Sequence, residues 1–219
     1  MKTPIDAAAQ LAITTLTKQA PTASELAKLF KVAGFKLALV GGPVRDAILG
    51  RLGNDLDFTT DAHPKDSEKI LNKWADSVWD IGAAFGTVAG KKGEVTVEVT
   101  TYRSESYAPD SRKPNVEFGK NIEGDLARRD FTINAMALEL TTIEPLFIDP
   151  FNGVSDLQNK IIKTPGKAED SFSDDPLRMM RAARFASQLN FEIAPEVLSS
   201  MKDLAHRISI ISAERVRDE

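Results

Sequence analysis

Apolar residues recur at steps of three and four along residues 1–34, where Leu26, Leu29, Phe30 and Ala33 form one helical stripe ended by Gly34. A short apolar run, Phe35 to Val40, then stops at Gly41-Gly42-Pro43, the pattern of a buried strand leaving through a glycine turn. Val44 to Leu49 reads as a short helix closed by Gly50. Asp55 to Thr59 reads as a second strand, and Pro64 to Val78 as an amphipathic helix with Ile70, Leu71, Trp74 and Val78 inward. Residues 79–102 predict a hairpin, Phe85–Ala89 with Val95–Thr101, turned at Gly90-Lys91-Lys92-Gly93. Residues 103–121 are polar and contain two prolines, which predicts a mobile loop. Beyond about residue 150 the strand signal fades into helical stretches at 176–189, 195–206 and 212 to the end. The pattern predicts an α/β (α+β) head over residues 1–150 and a helical neck over 151–219. Ser212 to Glu219 carries a capping serine and no stop signal, so the chain reads as cut just as a helix begins.

The 219 residues, 42% apolar and 27% charged, have the composition of an ordinary globular protein. The absence of cysteine excludes disulfides and thiolate metal sites and points to a reducing cytoplasm. No apolar run approaches the roughly 18 residues of a membrane span, and no signal peptide pattern opens the chain. The net charge of −4 sits awkwardly with nucleic-acid binding, which draws on a basic surface. Either basic residues cluster locally or the main RNA-gripping part lies elsewhere, and the second is the preferred reading.

The first chemical signal is Asp55-Leu56-Asp57-Phe58. On a strand the side-chain period is two, so Asp55 and Asp57 leave on one face while Leu56 and Phe58 enter the core. Adjacent carboxylates repel, and a hard cation such as Mg²⁺, held by one or two carboxylates plus phosphate oxygens, gives them a reason to coincide. The same alternation in Val95-Thr96-Val97-Glu98-Val99 sets Glu98 opposite the valines, able to complete a carboxylate trio if its strand neighbours Asp55–Thr59. Taken alone, such a triplet is more often a surface turn, and Glu98 an exposed strand residue. Gly41 and Gly42 let the backbone approach a phosphate closely, the next helix offers unpaired N–H groups, and Arg45 in its first turn can add a charge-assisted contact. An ordinary tight turn is the alternative, and no Walker loop is present.

The order Gly-Gly, helix, Asp-x-Asp resembles the polymerase-β-like nucleotidyltransferases. The resemblance narrows on Gly41-Gly42-Pro43-Val44-Arg45-Asp46-Ala47-Ile48-Leu49-Gly50, followed by Asp125-Leu126-Ala127-Arg128-Arg129-Asp130-Phe131-Thr132-Ile133-Asn134-Ala135-Met136-Ala137. Then come Asp149-Pro150-Phe151-Asn152-Gly153, Asp174-Asp175-Pro176-Leu177-Arg178-Met179-Met180-Arg181-Ala182-Ala183-Arg184-Phe185 and, cut short, Ala213-Glu214-Arg215-Val216. In this order the motifs are similar to those of the class II tRNA nucleotidyltransferases and bacterial poly(A) polymerases. The resemblance implies a mixed-sheet nucleotidyltransferase head with a base-reading neck and two-metal transfer of CMP and AMP from CTP and ATP to the tRNA 3′ end. It implies that Gly42 and Arg45 contact the triphosphate, Asp55 and Asp57 hold the metals, Arg129 binds phosphate and Asp130 the ribose. It further implies that Asp175 and Arg178 read the base edge and that Arg181 and Arg184 belong to the nucleotide site. The chemistry is coherent. Cytosine and adenine present an amino donor beside a ring-nitrogen acceptor, which a carboxylate and a guanidinium complement, whereas guanine and uracil do not. One departure is Asp174-Asp175 where Glu-Asp is usual, shortening the first acid by a methylene.

Gly82-Ala83-Ala84-Phe85-Gly86-Thr87-Val88 looks like the CCA-adding type, since bacterial poly(A) polymerases carry an Arg-rich version there. The loop at 103–121, with Arg112-Lys113-Pro114, has full length, which favours adenosine addition after the cytidines. Poly(A) polymerase or A-adding activity is the alternative within the family. A non-catalytic nucleotide- or RNA-binding module is the alternative of another class, disfavoured by the intact Asp55/Asp57 pair, and small-molecule nucleotidyl transfer is disfavoured by the base-reading pair. Relatives carry further helical domains that grip tRNA, so these residues alone are expected to bind CTP or ATP weakly and to add nucleotides poorly.

Overall fold

Thr3 opens the first helix with a reciprocal cap: its hydroxyl accepts from the Asp6 N–H at 3.1 Å, and its own N–H donates to the Asp6 carboxylate at 3.0 Å. The structure is a computed structural model describing residues 3–82, 86–106, 115–119 and 121–219. Helices α1 (Pro4–Gln19) and α2 (Pro21–Val32) lead into β1 (Leu37–Val40), α3 (Gly42–Ile48), β2 (Asp55–Thr60) and α4 (Pro64–Trp74). Strands β3 (Ser77–Gly82), β4 (Thr87–Lys92) and β5 (Val95–Thr101) follow, then β6 (Arg103–Ser106), β7 (Asn115–Phe118) and α5 (Ile122–Ala127). A 3₁₀ turn at Thr132–Asn134 precedes β8 (Ala137–Glu139) and β9 (Leu146–Ile148), and a second 3₁₀ segment spans Ala205–Ile210. The remainder is α6 (Gly153–Asn159), β10 (Ile161–Ile162), α7 (Ala168–Asp174), α8 (Leu177–Leu189), β11 (Glu192–Ile193), α9 (Pro195–Leu204) and α10 (Ala213–Asp218). Among the described residues no helix is long and apolar enough to cross a membrane.

Seven strands form a mixed sheet in the order β3-β4-β5-β2-β1-β8-β9, with β2 and β5 parallel. One face carries Leu37, Leu39, Leu56, Phe58, Val97 and Val99 into a core shared with Leu26 and Phe30 of α2 and Leu71 and Trp74 of α4. On the other face, Ala38, Val40 and Ala137 are covered by Ile122 and Leu126 of α5 and by Tyr102. The cover therefore spans β1 and β8 and leaves the carboxylate-bearing edges of β2 and β5 exposed.

Three sequence expectations are corrected. The helix predicted to Val78 ends at Trp74, because Ala75 turns extended and the Asp76 N–H bonds the Lys91 carbonyl at 2.8 Å; Val78 faces the core from β3. Its spacing of four from Trp74 fits a helix, but its β-branched, aromatic neighbourhood pairs better as an edge strand. The hairpin turns at Gly93, with φ +58°, and Gly90 lies within β4 opposite Val97. A Cβ at Gly90 would stand 3.1 Å from that of Ala75, so this glycine lets α4 approach the sheet. Residues 103–106 and 115–118 pair as an antiparallel ribbon, Arg103 opposite Phe118, where a loop was predicted. Buried Tyr102 launches that ribbon, its N–H bonding the Thr60 carbonyl and its carbonyl accepting from Gly119, both at 2.7 Å. Residues 83–85, within the Gly82–Val88 stretch, and Arg112-Lys113-Pro114 lie outside the described residues.

The helical region after residue 150 holds one parallel pair, β10 with β11. Its own small core joins Ala168, Phe172, Met179, Ala194 and Val197, while Ala182 and Phe185 of α8 enter the core of the sheet. The crossing is fixed at Asp149, whose carboxylate accepts from the N–H groups of Gly153 at 2.6 Å and Val154 at 3.0 Å. Gly153 has no room for a side chain, since a Cβ would collide with the Thr132 carbonyl and lie 2.8 Å from Met136 Cγ. Gly153→Ala is expected to lower unfolding free energy by about 1–3 kcal/mol in urea titration; an unchanged midpoint would contradict this packing.

Candidate active site

Leu56 and Phe58 are buried in the core, and the intervening geometry turns Asp55 and Asp57 to the exposed face of β2. The parallel register sets Asp57 beside Glu98 and Asp55 beside Thr96 on β5. Three acids therefore share one sheet face, the neighbourhood the alternation predicted. The Asp57 carboxyl is pushed above its ordinary value, first by the protein mass around it and then by Asp55, with Arg129 pulling the other way. Glu98 is pushed up as well, by partial loss of solvent around its carboxyl, then by Asp57 and Asp55. Among the described residues no three acidic or histidine side chains converge into a metal cage, so Glu98 shares the face without closing a trio. A pair of mutually repelling carboxylates on an open face suits Mg²⁺, which takes one or two protein carboxylates and completes its shell with water and phosphate oxygens.

The glycine turn leaves β1 next to these acids. Gly41 has φ +76°, a conformation that glycine adopts without steric cost, and a Cβ there would stand 3.0 Å from Arg129 Nη1. Arg129 thus lies over the turn, and its charge favours the ionised form of Asp57. It is steered by Asp125, a fully buried acid at the end of α5 that accepts from Arg129 Nη2 at 3.1 Å, Arg128 Nη2 at 2.7 Å and the Thr59 hydroxyl at 3.3 Å. Burial alone would raise the Asp125 pKa, yet Arg129 and Arg128 outweigh it and hold the carboxyl below its ordinary range. Among the described residues, Arg129 Nε is buried with no hydrogen-bond partner. Arg45 is occupied internally: it donates to Asn134 Oδ1 at 2.7 Å and to Asp46 at 2.9 and 3.0 Å.

Asp130 ties the region around the 3₁₀ turn to α8. Its carboxylate accepts from the Phe131 N–H at 2.7 Å, Asn134 Nδ2 at 3.1 Å, and Arg181 Nε and Nη2 at 2.9 and 2.7 Å. Burial opposes its charge most strongly, but Arg181 and these hydrogen bonds keep its pKa lowered. Arg184 donates to Glu219 at 2.5 Å and to Gln188 at 3.1 Å. The guanidinium carbons of Arg45, Arg181 and Arg184 lie 5.3, 5.4 and 4.5 Å from the Phe185 ring centroid, a cation–π cluster spanning both regions.

Asp175 and Arg178 take different partners at the entry to α8. Asp175 Oδ1 accepts from the Leu177 N–H at 3.2 Å, and Arg178 donates to Ser171 Oγ at 2.8 Å and the Arg128 carbonyl at 2.6 Å. Arg178 lines a cleft of about 140 Å³ with Arg128, Arg129, Lys167, Ser171 and Asp174. Cationic side chains therefore cluster locally in a chain of net charge −4. Asp125, Asn134, Ser171 and Phe185 were assigned no role from sequence. The spacing of Asp125 to Arg128 and Arg129 was the only available signal, since Asn134 meets Arg45 across 89 residues.

Ionising Asp57 costs more in the folded chain than in the unfolded one. The folded state keeps that proton to higher pH, so the penalty is present above the folded value and disappears below the unfolded value of about 3.9. Asp57→Asn is expected to raise the melting temperature at pH 7 and to lose that advantage below about pH 4. A lower melting temperature at pH 7 would contradict the crowding of these acids.

Residues 37–163 match the family described as poly A polymerase head domain, and residues 190–219 match one described as probable RNA and SrmB-binding site of polymerase A. The CCA-adding enzyme of Lactobacillus helveticus is 44% identical over 188 residues, covering 85% of this chain and 45% of that protein. That of Lactobacillus gasseri is 41% identical over 208 residues, covering 94% and 50%. The Bacillus stearothermophilus CCA-adding enzyme in complex with CTP superimposes with TM-score 0.77 at 37% identity, over 89% of this chain and 46% of that one. A tRNA nucleotidyltransferase complexed with a primer tRNA and an incoming ATP analog gives TM-score 0.70 at 32% identity, over 83% and 50%. The chain spans about half the length of the curated relatives it matches. On its glycine turn, paired acids and the match over residues 37–163, the chain belongs to the poly A polymerase head-domain family, which unites CCA-adding tRNA nucleotidyltransferases with bacterial poly(A) polymerases.

Proposed function

We propose that this chain supplies the catalytic head and base-reading neck of a cytoplasmic enzyme that adds CMP and AMP to the 3′ end of tRNA. The observation that carries the reading is the parallel register of β2 with β5, which brings Asp55, Asp57 and Glu98 onto one face beside the Gly41–Gly42 turn. Asp55 and Asp57 would hold Mg²⁺, which when bound neutralises the triphosphate and lowers the pKa of the attacking hydroxyl. The 3′-oxygen attacks the α-phosphorus, that phosphorus–oxygen bond forms, the bond to pyrophosphate breaks, and Glu98 accepts the hydroxyl proton. Gly41, Gly42 and Arg129 receive the phosphates; Arg129 Nε, without a hydrogen-bond partner among the described residues, supports this. Arg45, Asp130, Arg181 and Arg184 form the frame that seats the neck on the head, and Asp130 acts first as the anchor of Arg181.

Asp175 and Arg178 discriminate the base. Fixing Arg178 through Ser171 and the Arg128 carbonyl presets the guanidinium plane and favours hydrogen-bond readout over simple charge attraction. The similarity to CCA-adding enzymes, at 41–44% identity in the relatives named above, favours CCA addition over poly(A) synthesis. In titrations of the four nucleoside triphosphates with Mg²⁺, CTP and ATP are expected to bind about 10-fold more tightly than GTP and UTP. Arg178→Ala is expected to flatten that order, and Asp55→Ala to remove the Mg²⁺ dependence. Equal affinity for all four in the unaltered chain would contradict the reading.

A further inference from the structure

A row of side chains extends the acidic face outward. Asp57 pairs with Glu98, Glu98 with Ala89, and Ala89 with Trp79, so all four project from the same side of β2, β5, β4 and β3. The adjacent row runs Asp55, Thr96, Lys91 and Ser77. Glu98 and Lys91 are exposed, and Trp79 keeps 39% of its surface open on the edge strand. The other tryptophan, Trp74, is buried on the opposite face, where its Nε1 bonds the Thr22 carbonyl. Part of the Trp79 indole is thus open to solvent two strands from Glu98 and diagonal to Lys91.

Direction comes from the reaction. In-line transfer puts the attacking oxygen opposite the leaving pyrophosphate. The turn proposed to receive the phosphates follows β1, on one flank of β2, so the attacking strand must arrive from the other flank, over β5, β4 and β3. Trp79 lies three strand steps from Asp57, roughly 14 Å at about 4.8 Å per step. That is the reach of the last two or three nucleotides of a single strand.

We infer that Trp79 is a stacking platform for an unpaired base just upstream of the RNA 3′ end, with Lys91 meeting the adjoining phosphate. This rests on the proposed nucleotidyl transfer and adds the path of the acceptor strand. Aromatic stacking tolerates any base, so the platform would grip the growing end after each addition without reading it. Lys91 offsets the repulsion between phosphate and the nearby acids.

The test is anisotropy of a short end-labelled single-stranded RNA titrated with this chain at low salt, alongside CTP binding with Mg²⁺. Trp79→Ala and Trp79→Gln are expected to weaken RNA binding about 10-fold and Trp79→Phe to weaken it by less than about 3-fold, with CTP affinity unchanged in all three. Saturable quenching of tryptophan fluorescence by RNA, and not by CTP alone, supports the platform, because buried Trp74 is the only other indole. Unaltered RNA affinity in either the Ala or the Gln variant that still binds CTP overturns the inference, as does absent RNA binding by the unaltered chain or equal quenching by CTP. Loss of CTP binding in the unaltered chain would instead overturn the nucleotidyl-transfer reading itself.

Discussion

Parallel pairing of β2 with β5 is the constraint on which the site depends. A strand alternates its faces, so the apolar residues that bury β2 and β5 against α2 and α4 force Asp55, Asp57 and Glu98 to the opposite side. A slip of one residue would drive the acids into the core and expose Phe58 and Val99. The hydrophobic core therefore enforces an electrostatically unfavourable arrangement. Packing stabilises the register while the acids repel; loss of solvent around Asp57 and Glu98 first, and the neighbouring carboxylates after it, raise their pKa values.

Around that strained face the structure arranges cations indirectly. Asp125, buried and charged, ties Arg129 to Thr59 on the same strand as the acids, so one carboxylate organises the approach to another pair. Asp130 performs the equivalent task for Arg181, and Asn134 bridges Asp130 and Arg45. Phe185 completes the frame: its ring meets Phe131 edge-on at 5.9 Å and faces three guanidinium groups. Individual cation–π contacts contribute about 0.5–1 kcal/mol at exposed sites, and their value here lies more in orientation than in stability. The sheet and the helices after residue 150 are thereby joined by one core and one polar network.

The acidic pair, the glycine turn and helices α8 and α9 were legible in the sequence because each depends on local periodicity or local backbone freedom, whereas the short helices α6 and α7 were not read. Asp55 and Asp57 declare themselves by alternation with Leu56 and Phe58, and Gly41 by its place at a strand exit. Where two periodicities coincide, reading failed: Val78 stands four residues after Trp74 yet belongs to β3. Gly90 looked like turn chemistry, although its missing side chain serves the packing of Leu71 and Ala75. The ribbon of β6 and β7 was hidden by its polarity, since its pairing begins at a buried tyrosine and two backbone bonds. The frame around Phe185 was illegible for a simpler reason: its members come from residues 45, 130–134 and 181–185, and only the fold brings them together.

The most direct test of the central claim is paramagnetic broadening of backbone amide resonances by Mn²⁺. The account predicts that broadening begins at Asp55, Asp57 and Glu98 and spreads to Gly41 and Gly42 when CTP is added. Broadening that is diffuse over the acidic surface, or centred elsewhere with CTP present, would contradict it.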